Sequence, residues 1–364
     1  MAQVVTNSEI LEPMREDLEK RGISLPEKLD SEGLRAVADI VTEMPTTLNS
    51  FIETLSNKYV LPRVYSKNFT NPLKKLKRGY LENGDGLEMQ FVFDAQVKNF
   101  TEHWGDGSTT PEADLIRKIK PKVEVLYIST NYDKKSKITI MVKEMKKAFY
   151  TEGGLQRLIN SITTSLQNGL EKNEFKMTKN LIGALISGKK LDTTQDKISD
   201  DDISSEAKKQ AVKTIDIPNY KTDQKELLEQ IRATAGLMEF PSTEYNMAQV
   251  ENWVNREDLV FVTTPDVEAK IDVNTLAYVF NLDKAEIAYS IIHVDKIPVH
   301  KTVFAGKKIL GVLMDKNFLQ IWDTWNGGGS FYNPEGQYTN HFANREGIFA
   351  GCLYAPVVVF TTNE

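Results

Sequence analysis

Cysteine is almost missing from this sequence: Cys352 is the single one among 364 residues, so no disulfide can close within the chain. With one Cys and four dispersed His, cysteine-rich zinc sites are excluded as well. Long apolar runs are missing too. None approaches the roughly 18 residues that a membrane-spanning helix needs, and the N-terminus opens on the polar string MAQVVTNSEI, so neither a span nor a secretory leader is expected. The chain reads as a protein of a reducing, aqueous compartment. Catalytic motifs are equally scarce. Ala305-Gly306-Lys307-Lys308 lacks the upstream glycine of a phosphate loop, and no HExxH or GxSxG string occurs. Gly327-Gly328-Gly329-Ser330 lacks dinucleotide-binding spacing and reads as a flexible turn. His103, His293, His300 and His341 each stand without a motif partner, and Cys352 reads as a small buried hydrophobe rather than a nucleophile. No catalytic residue, cofactor or metal site is expected.

What is present is the balance of a globular chain, with 40% hydrophobic and 26% charged residues. The length allows about two domains at roughly 150 residues each, or one large core. Charge is uneven along the chain, whose net value is −6. Residues 1–60 hold 6 basic and 11 acidic side chains, 61–150 hold 17 and 11, and 151–364 hold 22 and 29. A basic middle between acidic flanks fits a nucleic-acid face, a segment docking on acidic surface elsewhere, or an ordinary mixed surface.

Residues 1–30, broken by Pro13 and Pro26, read as a weakly ordered arm without a sustained apolar stripe. Ser31 is positioned to cap a helix carrying Leu34, Val37, Ala38, Ile40 and Val41, and a second short helix carries Leu48, Phe51, Ile52 and Leu55 before Pro62. From Glu88 to Lys98 the string EMQFVFDAQVK alternates Met89, Phe91, Phe93, Ala95 and Val97 with mostly polar neighbours, which predicts a half-buried strand. Turn signals precede it at Asn83-Gly84-Asp85-Gly86 and follow it at Gly105-Asp106-Gly107-Ser108, after which Val123, Val125 and Tyr127 alternate again. The pattern is a long β-hairpin. Isolated two-stranded ribbons are marginal in water, so something must cover it.

Ile138-Thr139-Ile140 suggests a short strand, followed by a helix with Met145, Ala148 and Phe149. After Gly153-Gly154, Leu155, Leu158, Ile159, Ile162, Leu166 and Leu170 recur at three- and four-residue steps, extended by Phe175, Leu181, Ile182 and Leu185. Such a helix, about 30 residues and about 45 Å long, suits an elongated scaffold. Residues 189–220, including the acidic DKISDDDISSE, read as a solvated loop. Then come an amphipathic helix at 221–238, a buried strand at 259–262, a helix carrying Val273, Leu276, Ala277 and Phe280, and strands at 291–294, 309–313, 318–322 and 356–360. With no regular βαβ repeat, the fold class is α+β.

Lys74, Lys75, Lys77 and Arg78, within NPLKKLKRGY, have three readings: they hold phosphates, pair with carboxylates of a neighbouring subunit, or form a solvated hairpin edge that resists aggregation.

Residues 50–79 (SFIETLSNKYVLPRVYSKNFTNPLKKLKRG) resemble major capsid proteins of small podophages of the phi twenty-nine type, most tellingly at Asn71-Pro72-Leu73-Lys74-Lys75 followed by Lys77 and Gly79. Glu257-Asp258-Leu259, then Ala269-Lys270-Ile271-Asp272-Val273-Asn274-Thr275-Leu276-Ala277 ending in Phe280-Asn281, match the family's pattern. Leu313-Met314-Asp315-Lys316-Asn317-Phe318 and Asn333-Pro334-Glu335-Gly336 match it too, all in the family's order. The resemblance covers residues 45 to 360. It implies the Hong Kong 97-like capsid fold, divided into an N-terminal arm with short helices (1–60), an E-loop β-hairpin (61–130), a peripheral domain with a long spine helix (131–190), an axial domain (191–340) and a C-terminal strand returning to the peripheral domain (341–364). Residues 1–44 match poorly. The immunoglobulin-like C-terminal domain of some members is not expected, because the chain ends soon after Phe360. No partner residues align for the autocatalytic cross-link of the fold's namesake.

The resemblance implies a non-enzymatic building block: pentamers and hexamers forming the icosahedral head shell around the double-stranded DNA of a small tailed bacteriophage. The shell would be assembled in the host bacterial cytoplasm with a scaffolding protein and a portal, without sequence-specific DNA binding and without a membrane. In that reading the hairpin crosses the adjacent subunit, hiding Met89, Phe91 and Phe93, with Lys74, Lys75, Lys77 and Arg78 facing acidic surface. Gly79, Gly84 and Gly86 are hinges. The rivals are a carboxylate-dependent hydrolase, a nucleic-acid-binding accessory protein and a cellular nanocompartment shell.

Overall fold

A computed structural model of the chain describes residues 31–43, 68–81, 86–95, 97–99, 118–150, 153–220, 225–269 and 291–363, with isolated positions among the first 30. Several sequence expectations lie outside the described residues: the helix with Leu48 and Phe51, the hairpin tip with Gly84, the turn at 105–108, His103, and the helix with Val273 and Phe280.

The chain begins with α1 (Arg15–Lys20) and α2 (Ser31–Glu43). The cap of α2 is Asp30 rather than Ser31: its Oδ1 accepts from the Gly33 N–H at 2.8 Å. The arm is also better anchored than its sparse stripe suggested. Leu11 and Leu18 are fully buried with Val37, Ala38 and Val41 against Met145, Phe149 and Leu155. The buried Asn7 amide donates to the carbonyls of Ala148 (3.2 Å) and Phe149 (2.9 Å). One-sided spacing of a few leucines suffices because α2 and a later helix supply the rest of the cover.

After the short strand β1 (Gly79–Tyr80) comes a ribbon of β2 (Gly86–Val92) and β3 (Val123–Ser129), then β4 (Tyr132–Met141). Two helices follow, α3 (Val142–Tyr150) and α4 (Gly154–Ile186). The 33 residues of α4 span about 50 Å at 1.5 Å per residue, the long helix that the apolar repeat predicts. Gly153 stands at its head with φ 64°, a conformation that favours glycine.

Next, β5 (Lys189–Asp192) and β6 (Lys197–Asp202) pair where a solvated loop was expected. Both strands are polar, and Leu191 opposite Ile198 is their main apolar pair, so period two is hardly visible in the sequence. Then follow β7 (Lys213–Asp216), α5 (Lys225–Leu237), β8 (Leu259–Thr263), the single turn α6 (Pro265–Glu268), β9 (Ile291–His293) and β10 (Lys307–Asp315). The chain closes with β11 (Leu319–Asn333), β12 (Tyr338–Gly351) and β13 (Val357–Asn363). The triple glycine at 327–329 is no flexible turn: it lies inside β11, in register with Asn344, Ala343 and Phe342 of β12. The true turn is at 333–336, where Asn333 Oδ1 accepts from the backbone N–H of Glu335 (3.0 Å) and Gly336 (3.2 Å).

Beside the two-stranded pairs β2-β3 and β5-β6, two larger sheets organise the other strands. One has the order β1-β11-β12-β4, the other β7-β13-β10-β8-β9. The second is covered on both faces, which explains the unbroken apolar run of β8. Leu259 and Phe261 face the layer of α5 with Leu227, Ile231 and Ala235. Val260 and Val262 face the layer of α4 with Met177, Leu181 and Leu185. That second cluster also takes in Ile321 and Phe349 of the first sheet, so α4 joins the two sheets. The packing is close at Gly183, where a Cβ would stand 1.9 Å from the Pro298 carbonyl oxygen. Gly183→Ala is therefore expected to destabilise the fold by about 1–3 kcal/mol, read as a lowered thermal midpoint. No described helix is long and apolar enough to cross a membrane.

Candidate functional site

The ribbon has two unlike faces. In its register Leu87 opposes Ile128, Met89 opposes Leu126 and Phe91 opposes Glu124 on one face. Glu88 opposes Tyr127, Gln90 opposes Val125 and Val92 opposes Val123 on the other. The first face lies on its own chain. The Phe91 ring stacks on Tyr354 with centroids 4.9 Å apart, Phe93 packs edge-on to Phe91 at 5.1 Å, and Glu124 pairs with Lys209 at 3.4 Å. The ribbon folds back over residues 209 and 354, so the face carrying Phe91 and Phe93, expected to be hidden by an adjacent subunit, is half-buried on its own chain, Met89 included. The other face is the uncovered one. Val92, Val123 and Val125 are exposed, and Tyr127 retains 74% of its surface.

The basic turn at the root of the hairpin is built by Asn71, whose Oδ1 accepts from the Leu73 N–H at 2.9 Å and starts the 3-10 turn Pro72–Leu76. Leu73 and Leu76 are buried, which leaves Lys74 and Lys75 on the outside. Lys77, expected at a neighbouring subunit, points inward and pairs within its own chain. Its Nζ lies 3.1 Å from Glu174 and 2.7 Å from Asp323. Glu174, whose side chain is 3% exposed, also bonds Arg345, and Arg345 reaches Glu171 at 3.1 Å. Two cations and three carboxylates thus tie the hairpin root, α4, β11 and β12 into one network, partly buried around the buried Glu174. Burial and the Glu174 carboxylate push the nearby Tyr132 phenol well above its ordinary range, and its hydroxyl donates to Asn173 Oδ1 at 2.9 Å. Arg78 is held by the next loop: its Nη2 donates to Asn317 Oδ1 at 2.6 Å. Gly79 has φ 147°, and at Gly86 a Cβ would stand 3.2 Å from the Ile128 carbonyl oxygen.

Sequence reading missed Glu171, Glu174, Asp323, Arg345 and Tyr354. One signal was available: Glu174 falls on the same helical face as Leu170, Met177 and Leu181, an ionisable residue on an apolar stripe.

Three of the matching strings meet here although they are far apart in sequence. A cavity of about 480 Å³ is lined by Lys75, Lys77 and Arg78 from the first, Glu257 and Leu259 from the second, and Lys316 from a later one. Lys316 also pairs with Asp258. Asp315 caps the turn that follows it, accepting from the Asn317 backbone at 2.8 Å, and burial raises its carboxyl above the usual range.

The hydrolase alternative needs a raised carboxyl facing a cleft. In the cleft of about 860 Å³ beside β9 and β10, Asp266 bonds Lys308 and Asp295 bonds Lys179, both at 2.5 Å. The bonds from Lys308 and Thr264 hold Asp266 below the usual carboxylate range. At Asp295 burial pushes upward, but the Lys179 bond outweighs it. Among the described residues no group of His, Cys, Asp and Glu lies together as a metal site. Burial pushes the Cys352 thiol up, in keeping with a packing role. His300, partly buried, lies 2.9 Å from the exposed Asp200, and His293 lies 3.2 Å from Glu268.

His341 is buried, and burial lowers its pKa. The unfolded chain therefore binds the proton first as pH falls, so this residue's neutral form supports the fold fully above the unfolded value of about 6.5 and less below it. His341→Gln is expected to flatten the pH dependence of the thermal midpoint between pH 7 and pH 5, measured against the parent chain.

A long helix crossing two sheets, a basic turn at the root of a ribbon, and a ribbon with one uncovered apolar face define the class: a subunit of the Hong Kong 97-like phage capsid fold. The same fold is found in the capsid structure of Staphylococcus phage Andhra, with a TM-score of 0.57 and 14% identity over 85% of this chain and 89% of that one. The chain belongs to the family of Phi29-like phage major capsid proteins, whose pattern matches residues 11–361. It is 28% identical to the major capsid protein of Bacillus phage GA-1 over 86% of its own length, and 26% identical to that of Bacillus phage PZA over 84%. The chain spans 61% and 64% of the length of these two relatives.

Proposed function

We propose that this chain is the shell-forming subunit of the icosahedral head of a small tailed bacteriophage, with a geometric rather than a catalytic role. Many copies make heterologous contacts that close into five- and six-membered rings, and the rings join into a container for double-stranded DNA. The carrying observation is the ribbon: its inner face rests on its own chain while Val92, Val123, Val125 and Tyr127 stay open on the outer face. In the shell that outer face lies on the adjacent subunit, within a permanent interface of about 2,000 Å² or more. Gly79, Gly84 and Gly86 let the ribbon change its angle between ring types. Residues 131–190 form the peripheral domain, 191–340 the axial domain, and 341–364 return to the peripheral one. Scaffolding and portal proteins are the proposed partners during assembly in the host cytoplasm. DNA is enclosed without sequence reading.

Negative-stain electron microscopy of the protein co-expressed with its scaffolding partner tests this reading. Closed shells are expected, and a monodisperse monomer or small oligomer under those conditions overturns it. Lys74 and Lys75, which stand outside the turn, supply register against acidic surface of the neighbouring subunit. Lys74→Glu/Lys75→Glu is expected to reduce assembly yield most at low salt, where screening is least. An equal yield across salt concentrations rejects the charge-register role.

A further inference from the structure

The far edge of the first sheet carries another unpartnered feature. β11 bonds β12 along its length, but on its other side β1 is in register with Trp322 and Asp323 alone, with Leu81 N–H donating to the Asp323 carbonyl at 2.8 Å. Among the described residues nothing pairs with that side of residues 325–331, the string WNGGGSF. An unpaired edge presents a row of backbone donors and acceptors, and proteins normally blunt such edges with lysine, proline or a bulge. This one has no charged residue and no proline between Trp325 and Phe331, and the irregularity of β11 comes before it, at Asp323/Trp325. Trp325 and Phe331 are both exposed, Phe331 at 65%.

The glycines sharpen the point. Glycine weakens a strand interior, and it often marks the close approach of another backbone. Gly327 lies against the Trp325 ring, and a Cβ at Gly328 would stand 3.0 Å from the Phe342 carbonyl oxygen, so these two have reasons within the chain. At Gly329 a Cβ would meet no atom within 4 Å. Among the described residues nothing requires glycine there.

The order of residues along the edge identifies the partner. About Gly328 the string is nearly palindromic: aromatic, small polar, glycine, glycine, glycine, small polar, aromatic. Two such edges placed antiparallel around a two-fold axis through Gly328 match Trp325 with Phe331, Asn326 with Ser330 and Gly327 with Gly329, each pair occurring twice. Cross-strand aromatic pairs then close both ends of the contact, and no side chain obstructs its centre. We propose that residues 325–331 of β11 pair with the same residues of a second copy of this chain, joining two four-stranded sheets into one. In a closed shell, two-fold axes relate subunits of adjacent rings, so this contact would link rings; that clause alone rests on the shell reading.

Cysteine cross-linking of the full chain tests the register. Opposed residues of an antiparallel pair have Cα atoms about 4.5–5.5 Å apart, within the span of about 4.4–6.8 Å that a disulfide bridges. Asn326→Cys/Ser330→Cys, oxidised with copper phenanthroline, is expected to lose its monomer band on a non-reducing gel, and dithiothreitol should restore it. Each single variant should remain monomeric, because position 326 meets 330 and never itself; Cys352, present in every variant, is controlled for in the same way. A monomeric double variant, whether free or in particles, overturns the proposal, and so do dimers from either single variant. Asn326→Asp/Ser330→Asp places four carboxylates side by side and is expected to abolish the self-association with the circular-dichroism melt preserved. Self-association that survives it overturns the pairing. Covalent dimers without particles support the edge contact and count against the shell, whereas particles without covalent dimers count against the edge contact alone.

Discussion

A Val125→Lys/Tyr127→Lys variant, whose new charges would stand opposite Gln90 and Glu88, is expected to purify as a folded subunit that forms no closed particles. Both residues lie on the ribbon's outer face, so the isolated subunit hardly registers the change. Surface substitutions of this kind shift stability by roughly 0.5 kcal/mol or less. At an interface the same change removes apolar burial worth about 1.5–3 kcal/mol per side chain and leaves charges to be buried. The loss recurs at every contact around a ring, so closure fails even where a single contact still forms. Electron microscopy and sedimentation read the outcome, and shells of normal size and yield would reject outer-face docking. Phe91→Ala supplies the contrast. Its ring stacks on Tyr354 of the same chain, so its removal should lower the thermal midpoint of the subunit itself.

Lys77→Met is expected to be the most damaging single change to the subunit. It leaves Arg345 facing Glu171, Glu174 and Asp323, with Glu174 almost without solvent. Removing one partner of a buried ionic group costs about 3–5 kcal/mol, which for a large domain lowers the thermal midpoint by roughly 6–10 °C at the low end of the usual scaling. Adding Glu174→Met to Lys77→Met should recover much of that loss, because an apolar pair replaces a stranded charge. A double-mutant cycle that is additive within about 0.5 kcal/mol would show that the two residues act separately and would dissolve the network. The same cluster positions the hairpin root, so Lys77→Met particles should also be irregular in size.

Much of the α+β fold was legible in the sequence, and what was legible shares one property. The long helix α4 repeats its apolar residues at three and four, β8 is an unbroken apolar run, and the ribbon alternates at two. Each is a local pattern reporting which side of an element is buried. Where burial depends on partners far along the chain, the pattern failed. β5 and β6 are mostly polar, with Leu191 and Ile198 their main apolar pair, and paired unannounced. β11 runs through three glycines because β12 holds them in register, not because glycine favours a strand. The arm looked weakly ordered because a few leucines carry it.

The candidate site divides the same way. Asn71, the lysines after it and the alternating ribbon stood out by composition, and the ribbon's need for cover followed from its period. Which of its two faces lacks that cover did not, because alternation marks two faces without naming what lies against either. The sequence by itself therefore determined the long helix, the buried strand β8 and the alternating ribbon, and the order in which they follow one another. The tertiary structure decided that Phe91 stacks on its own chain, that Lys77 is clamped between Glu174 and Asp323, and that Val92, Val125 and Tyr127 stay exposed. The reason is physical: side-chain periodicity is written within a few residues, whereas ion pairing and burial are settled by groups the chain brings together only when it folds.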